Sequence, residues 1–370
     1  MTDEKAVLAA APTGTYIDGE FRAAAGGATF PVDDPSTGEV LNRVADARAP
    51  DADAALAAAT AAAAGWAGTA ARERGEILRR AYELLAARAD DLGLLITLEM
   101  GKPLAESKGE VTYAAEFFRW FAEEAVRIRG SFGPSPAGDL RILTMKQPVG
   151  PCLLVTPWNF PLAMGTRKIG AALAAGCTVV LKPAEQTPLS ALVLAQVLGD
   201  AGLPKGVVNV VPTSDPAAVV TPLMADSRLR QVSFTGSTEI GTLLMRQASD
   251  NLLRISMELG GNAPFLVFGD ADLDAAIDGA ALAKLRNVGE SCVAANRFLV
   301  HESVAAEFAH RLAERFATLT VGRGTADGVD IGPLIDAAGR DKVGSLVEDA
   351  VAVGAKALVG GEPVDGPGYF

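Results

Sequence analysis

Four short apolar runs follow one another after Gly150: Cys152–Val155, Thr178–Leu181, Val207–Val211 and Gln231–Phe234. Helical segments of about ten residues separate them, and that alternation specifies a parallel, doubly wound α/β sheet. No other feature of the chain constrains its fold as tightly. In such sheets ligands bind beyond the carboxyl ends of the strands. The residues leaving each strand therefore carry the functional information. Thr156-Pro157-Trp158-Asn159 follow the first run, Lys182-Pro183-Ala184-Glu185 the second, and Thr235-Gly236-Ser237-Thr238 the fourth. Gly236 lets backbone approach a phosphate, and the helix after it offers free N–H groups at the positive end of its dipole. Read alone, Gly236-Ser237 fits an ordinary helix cap equally well. The usual GxGxxG dinucleotide fingerprint is absent.

The chain before Gly150 reads as a prelude to this sheet. Tyr16-Ile17-Asp18-Gly19-Glu20-Phe21 predicts a hairpin turning at Asp-Gly, and Asp33-Asp34-Pro35-Ser36-Thr37-Gly38 predicts a second turn. Residues 51–64 are almost all alanine, the strongest helix former. Ile77, Ala81, Leu84 and Leu85 repeat at helical spacing, as do Val111, Ala115, Phe118, Ala122 and Ala125. Both patterns predict amphipathic helices packed on a core. Gly and Pro interrupt residues 130–140, and residues 140–147 alternate like an exposed strand, so this stretch reads as an inserted arm.

A second stretch, Met257 to Cys292, carries the reactive residue types. It opens with Glu258-Leu259-Gly260-Gly261-Asn262 and closes with Arg286-Asn287-Val288-Gly289-Glu290-Ser291-Cys292. A thiol that attacks a carbonyl needs a base, for itself or for a water that later attacks the intermediate. Read alone, a single cysteine is more often a small buried hydrophobe, and a lone Glu after a strand is usually a solvated end. The pair gains weight because the upstream strands build a ligand crevice.

At 370 residues, the chain is too long for one simple core, so two or more domains are expected. A net charge of −12 makes nucleic acid or an anionic membrane a poor partner. No apolar run reaches the length of a membrane span, and Met1–Leu8, with Asp3, Glu4 and Lys5, lacks the apolar core of a secretory signal. The three cysteines, Cys152, Cys177 and Cys292, are odd in number and far apart, which argues for a reducing, cytoplasmic compartment rather than a disulfide framework. With two histidines and no CxxC, no metal site is expected.

Together these pieces resemble the aldehyde dehydrogenase superfamily. The motifs are Pro157-Trp158-Asn159-Phe160-Pro161, Lys182-Pro183-Ala184-Glu185, Phe234-Thr235-Gly236-Ser237, Glu258-Leu259-Gly260-Gly261-Asn262 and Gly289-Glu290-Ser291-Cys292, in the family's order. Within the superfamily the chain is similar to the succinate-semialdehyde dehydrogenases, on the strength of Gly165-Thr166-Arg167-Lys168 and Arg286-Asn287. Two departures stand out: Glu290, where many members have Gln, and Ala294, where some carry a second Cys.

The resemblance implies a mechanism. Cys292 attacks the aldehyde, and the Asn159 amide and the Cys292 backbone N–H receive the oxyanion. Hydride leaves to the nicotinamide, and Glu258 activates the water that hydrolyses the thioester to a carboxylate. NAD is the implied cofactor, with NADP possible. Thr156, Pro157, Trp158, Asn159, Lys182, Glu185, Gly236, Ser237 and Leu259 are the implied cofactor residues, with Lys182 and Glu185 at the adenine ribose. The implied substrate is a small carboxylated aldehyde gripped by Arg167 and Arg286. The implied organisation is a dinucleotide-binding domain of residues 1–126 and 148–257, an oligomerisation arm of 127–147, and a catalytic domain of 258–370. That catalytic domain is expected to be incomplete at its C-terminus, because the family's Glu-x-Phe-Gly-Pro motif does not appear. Full-length family members are homo-oligomers. The competing expectations are a non-catalytic remnant that binds nucleotide and an aldehyde dehydrogenase of other substrate specificity.

Overall fold

The computed structural model describes residues 3–370. Of the N-terminal stretch read for a signal, Met1 and Thr2 lie outside the described residues. Helix α1 (Glu4–Ala10) leads to the hairpin β1 (Thr15–Ile17) and β2 (Glu20–Arg22). Its two turn residues, Asp18 and Gly19, both have positive φ, as an Asp-Gly turn between antiparallel strands requires. A second hairpin, β3 (Thr29–Asp33) and β4 (Val40–Ala45), brackets the turn read at Asp33–Gly38.

Four helices follow: α2 (Ala49–Gly68), α3 (Ala71–Ala87), α4 (Ala89–Met100) and α5 (Leu104–Glu124). Helices α3 and α5 bury the faces read from the sequence, including Ile77, Ala81, Leu85, Val111, Ala115 and Phe118. Helix α4 was not legible as amphipathic because it has no solvent face: Leu92 to Met100 are all buried. The arm is a hairpin of β5 (Ser131–Pro134) and β6 (Arg141–Thr144), exposed at every strand residue but Gly133.

The sheet core runs β7 (Cys152–Val155), α6 (Ala163–Ala175), β8 (Val179–Lys182), α7 (Pro188–Asp200), β9 (Val208–Val210), α8 (Pro216–Ala225), β10 (Gln231–Gly236), α9 (Thr238–Asp250) and β11 (Arg254–Leu259). Seven strands pair in the order β11-β10-β7-β8-β9-β1-β2, parallel from β11 through β9, with the β1–β2 hairpin antiparallel on the edge. The doubly wound reading therefore holds, with three differences. Lys182 ends β8 instead of following it. Strand β10 extends through Thr235 and Gly236, because these residues pair with Glu258 and Leu259. Strand β11 thus joins the large sheet, which runs two residues past the boundary read at 257/258.

The rest is a smaller unit. Strands β12 (Ala263–Val267) and β13 (Ala295–Val300) form a two-stranded parallel sheet crossed by α10 (Leu273–Leu285), with α11 (Glu302–Ala317) following. Its core is a separate cluster of Val267, Ile277, Ala280 and Phe308. Helix α12 (Ala337–Ala352) buries no residue. Among the described residues no single helix is long and apolar enough to cross a membrane. Among them, too, no group of three or more His, Cys, Asp or Glu gathers where it could hold a metal ion.

Candidate active site

Strand order determines which motifs meet. Strands β11, β10 and β7 are neighbours and parallel, so their carboxyl ends lie side by side. The residues leaving them, Glu258-Leu259, Gly236-Ser237 and Pro157-Trp158-Asn159-Phe160, form one wall of a cleft of about 380 Å³. The segment after α10 supplies the opposite wall, with Arg286, Ser291, Cys292 and Val293. Arg167 reaches in from α6. Of the residues singled out in the sequence, the cleft gathers Cys292, Glu258, Asn159, Pro157, Trp158, Gly236, Ser237, Leu259, Arg167 and Arg286.

Thr156, Lys182 and Glu185 do not line this cleft. Thr156 is buried beneath it, its N–H donating to the Lys182 carbonyl at 3.2 Å. Lys182 is buried and its Nζ lies 2.9 Å from Glu185 Oε2. Glu185 opens instead onto a smaller cavity of about 240 Å³ shared with Ser214, Asp336 and Tyr369. Sequence reading gave no site role to Tyr113, Phe160, Met164 and Val293, which also line the cleft. Three of them are apolar side chains that carry no chemical signature in a sequence.

The three thiols differ in access. Cys292 is exposed, whereas Cys152 and Cys177 are buried. The Asn159 amide donates to the Glu290 carbonyl at 2.7 Å, and an amide NH₂ has a second N–H to give. The Asn159 Oδ1 is buried with no hydrogen-bond partner among the described residues. Burial pushes the Glu290 carboxyl up to about 8; the Lys102 charge opposes this, Asp336 adds to it and the Ile335 N–H opposes it.

The arginines sit differently. Arg167 Nη2 lies 3.6 Å from Glu258 Oε1. Arg286 has no carboxylate within salt-bridge distance among the described residues, and its guanidinium rests 5.6 Å from the Phe160 ring centre and 5.8 Å from that of Tyr113. Arg167 and Glu258 also face a second cavity of about 360 Å³ behind the cleft, together with Lys168, Ser233, Cys152 and Cys177. Burial there pushes Lys168 down to about 8, against the Glu258 charge and with that of Arg167, and its Nζ is 2.7 Å from Ser233 Oγ.

The dinucleotide fit rests on Gly236 and Ser237. A Cβ on Gly236 would lie 2.4 Å from the Phe234 ring, so only glycine keeps this backbone beside the cleft. The Ser237 Oγ accepts from the Ile240 N–H at 3.3 Å, capping α9 and leaving other first-turn N–H groups free. These residues suit a pyrophosphate.

A family model for the aldehyde dehydrogenase family matches residues 21–370. This chain belongs to the aldehyde dehydrogenase family. It is 59% identical over 331 residues to a succinate-semialdehyde dehydrogenase of Paenarthrobacter nicotinovorans, covering 90% of this chain and 74% of that one. It is 48% identical over 354 residues to the NADP(+) succinate-semialdehyde dehydrogenase of Escherichia coli, covering 96% of this chain and 73% of that one. Among solved structures, succinate-semialdehyde dehydrogenase from Burkholderia pseudomallei superposes with a TM-score of 0.95 at 50% identity, over 97% of this chain and 75% of that one. The chain thus spans about three-quarters of the length of these relatives. As an aldehyde dehydrogenase it is an oxidoreductase that takes an aldehyde to its acid with NAD(P).

Proposed function

We propose that this dehydrogenase oxidises an ω-carboxylated aldehyde, succinate semialdehyde or a close relation, and that Cys292, Glu258 and Asn159 carry the chemistry. The observation that carries the substrate reading is Arg286. A guanidinium in the cleft, held on two aromatic faces and with no carboxylate within salt-bridge distance among the described residues, is available to a carboxylate from outside. A guanidinium grips such a group through two parallel hydrogen bonds. Arg167 is the second proposed contact, and its 3.6 Å approach to Glu258 means a substrate carboxylate competes with that pair.

In this reading the Cys292 thiolate adds to the aldehyde carbon and forms a thiohemiacetal. The second Asn159 N–H and the Cys292 backbone N–H receive the oxyanion, donors that need no reorganisation when charge develops. Gly236, Ser237, Pro157, Trp158 and Leu259 hold the dinucleotide, with Thr156 supporting that wall from below. Lys182 and Glu185 reach its ribose. When bound, the nicotinamide supplies the hydride acceptor. Glu258 takes the proton from the water that hydrolyses the Cys292 thioester to the carboxylate. NAD is the proposed preference, because the Glu185 carboxylate accepts a bond from a 2′-hydroxyl and repels a 2′-phosphate. The NADP(+) relative and the neighbouring Lys182 weigh on the other side.

Three coarser readings go with it. The dinucleotide-binding domain comprises 1–126 and 148–257 with the rest of β11, and the catalytic domain the remainder to 370. The arm at 127–147 is a subunit contact, supported by Phe132, Leu143 and Met145, which are 63–72% exposed. A cytoplasmic setting is supported by three unpaired thiols.

The test is aldehyde-dependent NADH formation by the 370-residue chain, wild type and Arg286→Ala. Wild type should reduce NAD with succinate semialdehyde. Arg286→Ala should raise KM for that substrate ten-fold or more, as loss of about 1.5–3 kcal/mol from a charged hydrogen bond requires, and spare butyraldehyde. Equal damage to both substrates would make Arg286 structural. A wild type that binds nucleotide without turnover would favour the non-catalytic reading.

A further inference from the structure

Among the described residues Lys102 is the most completely enclosed cation, with a side chain 0% exposed. It sits between α4 and α5, far in sequence from every motif of the cleft. A buried ammonium persists only where each N–H finds an acceptor. Lys102 has three, and spends them on three different segments. One goes to the Glu110 carboxylate. One goes to Asn287 Oδ1 at 2.6 Å. The third goes to the Asn159 main-chain carbonyl at 3.1 Å. The ammonium also lies 4.5 Å from the centre of the Phe160 ring.

Each acceptor is tied onward to the cleft. Glu110 Oε1 accepts the N–H groups of Leu162 at 2.9 Å and Ala163 at 3.0 Å, which fixes the start of α6 just after Asn159. Asn287 donates its amide to the Asn159 carbonyl at 2.9 Å and to the Glu290 carbonyl at 3.1 Å. Asn159 donates to that same Glu290 carbonyl. Two asparagines thus hold one carbonyl two residues before Cys292, and Lys102 holds both asparagines. Asn287 and Val288 both have positive φ, 59° and 51°. Such a conformation costs a β-branched valine most and persists only where its surroundings over-determine it.

We propose that Lys102 is a positioning residue for the reaction: it locks the Asn159 loop to the Asn287–Cys292 turn, and so sets the oxyanion donors against the nucleophile. The proposal rests on the roles given above to Cys292 and Asn159. It differs from a general structural role in what it predicts. Loss of Lys102 should slow acylation of Cys292 far more than it weakens cofactor binding, because Gly236 and Leu259 end strands, and Ser237 caps a helix, that Lys102 does not touch.

The experiment uses the full 370-residue chain and p-nitrophenyl acetate, an activated ester that acylates a thiol with release of p-nitrophenol and needs no cofactor. Wild type is compared with Lys102→Met/Glu110→Gln, which removes both buried charges and leaves neither unpaired. A second variant, Asn287→Gly, keeps the left-handed backbone and deletes the amide. Both should acylate about 100-fold more slowly, the loss expected for a displacement of about 1 Å. Their KM for the ester and Kd for the dinucleotide should stay within three-fold of wild type. The combined triple variant should lose no more than either parent, since both break one network.

A folded Lys102→Met/Glu110→Gln protein that acylates within three-fold of wild type would overturn the proposal. So would losses that multiply in the triple variant. If the paired variant does not fold, Asn287→Gly decides, and a wild-type acylation rate there refutes the network. A wild-type chain that is not acylated at Cys292 refutes the underlying catalytic reading, a different failure from an indifferent variant.

Discussion

Glu290 offers the sharpest thermodynamic test of the site. Its carboxyl is largely buried two residues before Cys292, and its Oε2 has no hydrogen-bond partner among the described residues. Burial pushes it from 4.5 up to about 8. The facing groups do not cancel that: Lys102 and the Ile335 N–H favour the ionised form, and Asp336 opposes it. Protonation is therefore tighter in the folded protein than in the unfolded chain. The stability this gives is complete below the unfolded value of 4.5 and is lost as pH rises through the folded value of about 8. At about 1.36 kcal/mol per ten-fold change in proton affinity, the full span is on the order of 5 kcal/mol. Relaxation and water entry around an ionised carboxylate reduce this to roughly 2–5 kcal/mol.

The perturbation is Glu290→Gln, which keeps the shape and removes the titration. Equilibrium urea unfolding of both proteins from pH 5 to pH 9 gives the difference in their stabilities at each pH. That subtraction cancels other titrating groups, including Lys168, whose lowered value makes its own contribution rise with pH from about 8 upward. Wild type should lose stability relative to Glu290→Gln by a few kcal/mol up to about pH 8, then run parallel to it. Curves that run parallel across the whole range would show that Glu290 is not buried as described, and the reasoning would fail.

Other outcomes follow from access, charge and exposure. Mild alkylation with peptide mapping should label Cys292 first, since Cys152 and Cys177 are 3% and 5% exposed; the contact with Cys152 pulls the Cys177 thiol down, so preferential labelling of Cys177 is the result that would sink the nucleophile assignment. Titration should find NAD tighter than NADP, and Glu185→Ser should narrow the gap by removing the carboxylate that repels the 2′-phosphate; an unchanged ratio would take Glu185 out of the cofactor site. Replacing Phe132 and Met145 with Ser should lower the mass seen by light scattering if the arm joins subunits, and an unchanged mass would end that reading.

Much of this fold was legible because its signals are local. Short apolar runs, the Asp18-Gly19 turn and the helical spacing of Ile77 to Leu85 each declare themselves within a few residues. The motif residues were legible for a related reason: parallel strands deliver whatever follows them to one edge, so order in sequence becomes proximity in space. The errors lay at strand ends. Thr235 and Gly236 read as the exit from the fourth run, yet they extend β10 because Glu258 and Leu259 pair with them. No pattern within either segment contains that pairing.

What stayed hidden is the polar framework under the cleft, and the reason is physical. A lysine or glutamate in a sequence is by default a solvated group, and only its partners can say otherwise. Lys102 finds partners 57 and 185 residues away. Glu110 and Glu99 are both buried, and each caps a helix remote in sequence: Glu110 receives the N–H groups at the start of α6, and Glu99 those of Leu189 and Ser190 at the start of α7. A carboxylate at a helix N-terminus satisfies orphan donors and meets the positive end of the dipole, so part of the cost of burial is offset across two elements, although burial still pushes Glu99 up to about 7. These two helices follow β7 and β8, the strands that deliver Asn159 and Lys182. The framework thus anchors the very helices whose leading loops form the site, which is why its charges lie outside the motifs that they hold in place.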